Sequence, residues 1–348
     1  MTSKVKNSGV SNVIKLIKKA LNHHFGYPVL MNWGYPVMYM SVGLALIFCI
    51  KLVIARLNPD FSTTSVVGQA ILMPLLVLIA LIFPGASMCE RSRINANGKF
   101  TGIGPLFTAF LSGAPTLLIY YAFHNISSWM SLTLFEKMLF PSFYFAKPEG
   151  FGINGILAFI AGNAIPALGV CFFFFGLIWS RFRKSNKKIA ALIVCALLVL
   201  FSVNPVDSAS ILVIALWCCF LRDRAGNIWA PFSCMMGAFL TSFFVQDFVS
   251  MVDITSVQSA SDINITYFYS SFPALLISAI LLFFFMRLLN DFYISYNDSL
   301  FITKEEQATY EETESKIPEL ATGFNAPFVF GLIIIVVIWI LTILGVQL

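Results

Sequence analysis

Apolar runs long enough, or nearly long enough, to cross a bilayer recur along almost the whole of this chain. Their approximate limits are 34–56, 66–88, 104–123, 152–179, 189–204, 206–221, 228–246, 271–289 and 327–347, and a spanning helix takes roughly 20 predominantly apolar residues. Only helices and closed barrels satisfy their backbone hydrogen bonds in lipid. The runs are continuous rather than alternating, which excludes a barrel. Hydrophobic residues make up 58% of the chain and charged residues 11%, an apolar share that a bilayer absorbs and a soluble core does not. The expected fold is all-α: a polytopic transmembrane helical protein of about nine spans. The count falls to about eight if the short fifth and sixth runs, which meet at Asn204-Pro205, form one kinked or re-entrant unit.

Lysine and arginine set the expected orientation, because cytoplasmic loops are enriched in them. With the N-terminus in the cytoplasm, all but four of the 22 basic residues fall inside. The inside groups are the leader (Lys4, Lys6, Lys15, Lys18, Lys19), the second loop (Arg91, Arg93, Lys99) and the fourth (Arg181, Arg183, Lys184, Lys187, Lys188). Arg222 and Arg224 in the sixth loop follow, then Lys304 and Lys316 in the eighth, with Arg287 at its helix end. Lys51, Arg56, Lys137 and Lys147 are the exceptions. An odd number of spans then places the C-terminus outside. Basic residues beside spans point to a membrane surface and not to nucleic acid, and the expected location is the plasma (cytoplasmic) membrane.

Residues 1–30 read as a basic amphipathic interfacial segment, followed by one transmembrane domain over 31–348. Within 11–22, Val13, Ile14, Ile17, Ala20 and Leu21 share a helical face, as in a helix lying on an anionic leaflet. The leader has no central apolar run, so a cleavable signal peptide is not expected. The loop 126–147, with Trp129, is expected to lie along the outer interface. The loop 290–326 is acidic, and Thr303 with Glu306 makes a capping box there. Either a solvated face or a docking surface for a basic partner fits that loop. Asn125-Ile-Ser and Asn264-Ile-Thr are glycosylation sequons on predicted outer loops. The seven cysteines lie in the runs or, for Cys89, at a run's end, without zinc-ribbon spacing, and read as small packing residues.

Polar groups inside a bilayer are costly, so each is a candidate site. Asn163 and Asp207 are the intramembrane polar candidates, beside Gln69 and Asn204; Lys51 lies near a span end, where it can snorkel. Asn163 is suited to bond a neighbouring helix, and Asn204, Pro205 and Asp207 suit a turn between spans. Catalytic chemistry is poorly supplied. His23, His24 and His124 are the histidines, no His-Glu-x-x-His occurs, and no metal or other cofactor is expected. Ser112 and Ser233 have no base near them in the sequence, and there is no Walker A motif.

Residues 218–237 read Cys-Cys-Phe-Leu-Arg-Asp-Arg-Ala-Gly-Asn-Ile-Trp-Ala-Pro-Phe-Ser-Cys-Met-Met-Gly. This resembles the third motif region of the CPBP family, which contains CAAX-type prenyl endopeptidases and bacteriocin self-immunity proteins. In that family a helix ends in a short basic turn with Gly, a Leu-Trp-Ala-Pro-like start opens the next helix, and a His follows the Pro by four residues. Ile228-Trp229-Ala230-Pro231 matches the start. Upstream, the family places Glu-Glu-x-x-x-Arg-Gly before a basic turn and then a helix bearing Phe-x-x-x-His. Aligning on Gly176 puts Val170 and Cys171 at the glutamate positions and Phe175 at the Arg position. Asn204 falls at one His position, Met235 at the last, and Phe239 at a polar position beyond it.

The resemblance implies a CPBP-like core at about 152–246 with its motif residues replaced. Without carboxylates and imidazoles, nothing at these positions binds a metal or moves a proton. The expected protein is therefore non-catalytic: it binds a membrane peptide, lipid or protein partner as a scaffold, regulator or immunity factor, through an apolar groove among the fourth, fifth and seventh spans. A transporter or membrane-complex subunit is the alternative, suggested by Asn163, Asn204, Asp207 and the prolines Pro74, Pro84, Pro115 and Pro166. An active intramembrane peptidase with relocated residues is the third reading.

Overall fold

A computed structural model describes residues 34–57, 98, 102–136, 138–139, 159–183, 187–245, 251–253, 257, 259–291 and 326–344. The amphipathic leader, the run 66–88 with Gln69, Cys89, the acidic loop beyond Asp291 and all of 140–158 lie outside the described residues. The described chain is built from helices: α1 (Gly34–Leu57), α2 (Ile103–Leu111), α3 (Gly113–Phe135), α4 (159–183), α5 (Lys187–Ser202), α6 (Ser208–Ala225), α7 (Trp229–Val245), α8 (Ile265–Asp291) and α9 (Ala326–Ile343). No strand occurs among the described residues; Gly98 and Asn227 make an isolated antiparallel bridge.

Among the described residues, three stretches are long and apolar enough to cross a membrane: Ile103–Phe135, Ile265–Asp291 and Ala326–Ile343. The first combines α2 and α3. Pro115 lacks the N–H that the carbonyl of Leu111 would receive, which favours a break in the helix just there. Ser112 bridges the break, its N–H bonding Thr108 O at 3.0 Å and its hydroxyl Ala109 O at 2.7 Å. The helix then runs on to Phe135. Residues 126–135 are thus the last turns of α3, a correction to their reading as an interfacial loop.

Helix α4 carries two π-helical segments, Ile160–Ala164 and Cys171–Ile178. The first contains Gly162, the residue four back from Pro166, whose ring clashes with that carbonyl in a regular α-helix; widening the turn relieves the clash. Helices α5 and α6 are separate. They form an antiparallel hairpin, since Lys187 at the start of α5 reaches Asp223 near the end of α6 at 3.2 Å. This resolves the fifth and sixth runs as two helices and not one kinked unit.

The largest buried cluster joins α1, α4, α5, α6 and α9 around Ile47, Phe173, Phe174, Phe175, Val194 and Ile335. Phe173 and Phe174 pack edge-on to each other and to Phe201, the geometry that aromatic quadrupoles favour. A second cluster gathers Ala109, Leu221, Ala230, Cys234 and Leu289. A third gathers Leu132, Met138, Val206, Val252 and Ile263. By contrast, α8 leaves Phe272, Leu276, Ile280, Phe283 and Leu288 exposed, a face suited to acyl chains. Helix α9 is tied to α5 by the Trp339 indole, which donates to Leu200 O at 2.8 Å. Replacing Trp339 with Phe removes that bond and little apolar area. The expected loss is about 1 kcal/mol, read by unfolding in micelles.

Candidate functional site

The residues aligned with the family's catalytic positions divide between two places. Cys171 and Phe175 lie one turn apart on the second π-segment, both fully buried. Met235 on α7 meets them: the Cys171 thiol lies 3.8 Å from the Met235 sulfur. Val170 is half-buried and packs against the same core. These side chains bring two sulfurs and one aromatic ring into the same buried cluster. The π-turn also leaves the carbonyl of Phe175 open to an outside donor, and the wholly buried Arg222 donates its Nε to it at 2.8 Å. Arg222 therefore belongs to the interior of α6, not to a solvated basic loop. Gly226 ends α6 in the left-handed region, φ 71°, where glycine carries no Cβ penalty. Asn227 then accepts from the Ala230 N–H at 3.1 Å and starts α7.

Asn163 is buried in the first π-segment. Asn204 does not join Cys171, Phe175 and Met235. It sits in the turn between α5 and α6, where the hydrogen bonds run to Asp207 and on to α3. The Asp207 N–H bonds Asn204 Oδ1 at 3.1 Å, which orients the amide so that Nδ2 donates to Asp207 Oδ2 at 2.7 Å. Tyr120 donates its hydroxyl to the same oxygen at 2.8 Å. Asp207 Oδ1 faces His124 Nδ1 at 2.7 Å. His124 Nε2 in turn lies 3.0 Å from Val252 O, while Asn125 Oδ1 accepts the Val252 N–H at 2.9 Å. One residue of the segment 251–253 thus has both backbone groups held by adjacent side chains of α3.

His124, Asn125, Asp207 and Val252 are all nearly inaccessible, at 1%, 1%, 3% and 2% exposure. Burial of that degree requires polar groups to be paired, and the network pairs them. Local strain supports the same turn. Val203, β-branched and fully buried, takes φ 44° immediately before Asn204, a conformation that costs of order 1–3 kcal/mol and survives only where its surroundings enforce it.

The Asp–His pair has half the geometry of a hydrolytic triad. In such a triad Nε2 faces a nucleophilic hydroxyl, whereas here it faces a backbone carbonyl. Ser112, the serine of interest in the sequence, lies elsewhere: it accepts the Trp217 indole N–H at 3.0 Å and sits 3.5 Å from the Cys234 sulfur. Among the described residues, no group of three or more His, Cys, Asp and Glu side chains is placed to hold a metal ion. Asn125 is enclosed within α3 and bonded to Val252, which removes it as an accessible glycosylation acceptor in the folded chain. Asn264 is exposed and accepts from Thr266 N–H at 2.9 Å at the start of α8.

His124 is the residue of this buried network that the sequence reading left among the three histidines without a role. A signal was present. Tyr120, His124 and Ser128 recur every four residues in an apolar run, which puts them on one helix face. Tyr120 and His124 share Asp207 as partner, more than 80 positions away, and no local pattern ties that candidate to them.

Helices of this length and hydropathy, with a polar cluster buried among them, define an α-helical membrane protein. Comparison adds no family to that class: no family model matches the chain, and no curated protein or solved structure matches it.

Proposed function

We propose that this chain is a non-catalytic integral membrane protein that binds a membrane peptide, lipid or protein partner on a CPBP-like frame, as a scaffold, regulator or immunity factor. In this reading it has about nine spans, a cytoplasmic N-terminus and a plasma-membrane location. The observation that carries it is the contact of Cys171 with Met235 at 3.8 Å, beside buried Phe175. Residues aligned with three catalytic positions meet in space, yet bring neither carboxylate nor imidazole. Proton transfer and water activation both need such groups. A polarizable, unbranched Met at the edge of the cluster suits an adaptable apolar contact.

The test uses reconstituted protein, a quenched fluorescent prenylated CAAX-type peptide and added zinc. Binding without cleavage is expected, weakened when Met235→Trp fills the contact. Chelator-sensitive turnover would replace this reading with the peptidase one. A transporter component is the second reading, favoured by the buried His124–Asp207 pair, since ionisable groups within a membrane domain mark ion and substrate paths. Absence of peptide binding, with substrate flux that depends on Asp207, would favour it.

A further inference from the structure

The hydrogen bonds around His124 and Asp207 can be counted proton by proton. Val252 O is only an acceptor, so the hydrogen of that 3.0 Å contact sits on Nε2. Asp207 Oδ2 receives the Asn204 amide, whose orientation is set by the Asp207 N–H, and the Tyr120 hydroxyl. One proton then lies in the 2.7 Å contact between Nδ1 and Oδ1. It belongs either to imidazolium beside carboxylate or to neutral imidazole beside carboxylic acid. Both arrangements have the same net charge and keep every hydrogen bond.

Loss of one proton cannot keep them all. If Nε2 gives its proton to water, forming hydronium, the neutral ring retains Nδ1–H on the carboxylate. Its Nε2 lone pair then points at the Val252 carbonyl oxygen, and two acceptors face each other. If the ring instead keeps Nε2–H, a bare Nδ1 faces a carboxylate. The first loss is the less unfavourable, because a lone pair against a neutral carbonyl is repelled less than one against a full charge. Deprotonation therefore releases Val252.

We propose that His124 and Asp207 form a proton-binding site whose occupancy holds the segment 251–253 against α3. The ligand is one proton, exchanged with water. The element it controls is the strap centred on Val252, whose side chain closes the third apolar cluster beside Leu132, Val206 and Ile263. Proton binding and strap docking favour each other, since a ligand shifts an equilibrium by its differential affinity for the two states. The ionisable groups beside the pair or on the same cluster include Tyr120 and Tyr121 on α3, Asp253 on the strap and Tyr267 on α8. Asp253 is exposed. The proposal does not depend on what the Cys171–Met235 region binds, and of its residues only Asn204 was aligned with that frame.

The experiment is hydrogen–deuterium exchange of the Val252 amide in the full chain in nanodiscs, across about pH 4 to 10, a range that extends well to either side of the ordinary histidine value. Rates are corrected for the intrinsic pH dependence of exchange. Protection is expected to fall at least tenfold as the pair loses its proton. His124→Gln retains a side-chain N–H donor but no titratable proton, and is expected to make protection independent of pH. Tyr120→Phe leaves both protons in place and removes one donor to Oδ2, and is expected to move the midpoint of the wild-type transition. Wild-type protection that does not change with pH overturns the proposal. So does an unaltered transition in His124→Gln or, if that variant does not fold, an unmoved midpoint in Tyr120→Phe.

Discussion

Asp207→Ala is expected to lower stability by about 3–5 kcal/mol, the usual cost of removing one partner from a buried charged pair. Three donors converge on the carboxylate: Tyr120 and Asn204 on one oxygen and the His124 ring on the other. Truncation orphans all of them in a region that admits almost no solvent. It also loosens α3 from the turn that starts α6, and through His124 it disturbs the strap. Asp207→Asn keeps the shape and one good acceptor, so its expected cost is smaller, about 1–2 kcal/mol. Denaturant titration in mixed micelles, with intrinsic tryptophan emission as probe, separates the two variants. Equal, small losses in both would show that water enters the network and satisfies the orphaned donors.

The second large effect concerns backbone approach. A Cβ at Gly237 would lie 1.9 Å from Phe110 O and 2.8 Å from Phe110 C, and one at Gly113 would lie 2.4 Å from Cys234 O. Helix α7 is therefore seated directly on the backbone of α2 and the first turn of α3. Small residues permit this contact, which is how membrane helices gain van der Waals packing without a hydrophobic driving force between them. A methyl at Gly237 meets backbone, which cannot rotate aside as a side chain can. Gly237→Ala is expected to cost about 3 kcal/mol or more and to separate the helices. Ala209→Leu, at an exposed position of α6, serves as the control and is expected to stay within about 0.5 kcal/mol. Unfolding midpoints in the same micelles measure both.

Much of the helical plan was legible along the chain because its cause is local. A continuous apolar run with no alternation has one backbone solution in lipid, and α1, α8 and α9 lie close to the runs 34–56, 271–289 and 327–347. Ends were read less well. The run 104–123 stops where His124, Asn125 and Ser128 lower the hydropathy, yet α3 continues, because those polar side chains are buried inside the protein and not returned to water. For the site, Asp207, Asn204 and Cys171 were marked by their rarity or alignment. Tyr120 and Val252 were not, since a tyrosine in an apolar run and a valine in a loop are ordinary until something distant meets them.

Local order along the chain is enough to set the solvent this protein folds for and the helical form its backbone takes there. Both follow from the number of apolar residues in unbroken order and from the obligation of every backbone group to be bonded in lipid. Which polar residues meet is set by the packing of the helices in three dimensions. It carried Asn204 to Asp207 and His124, away from Cys171 and Met235, and it turned Arg222 inward to the carbonyl that a π-turn exposes. Those pairings depend on helix rotation, on the strained turn at Val203 and on the close seating of α7 at Gly237. Each of these is set by contacts between distant segments, which no local pattern encodes.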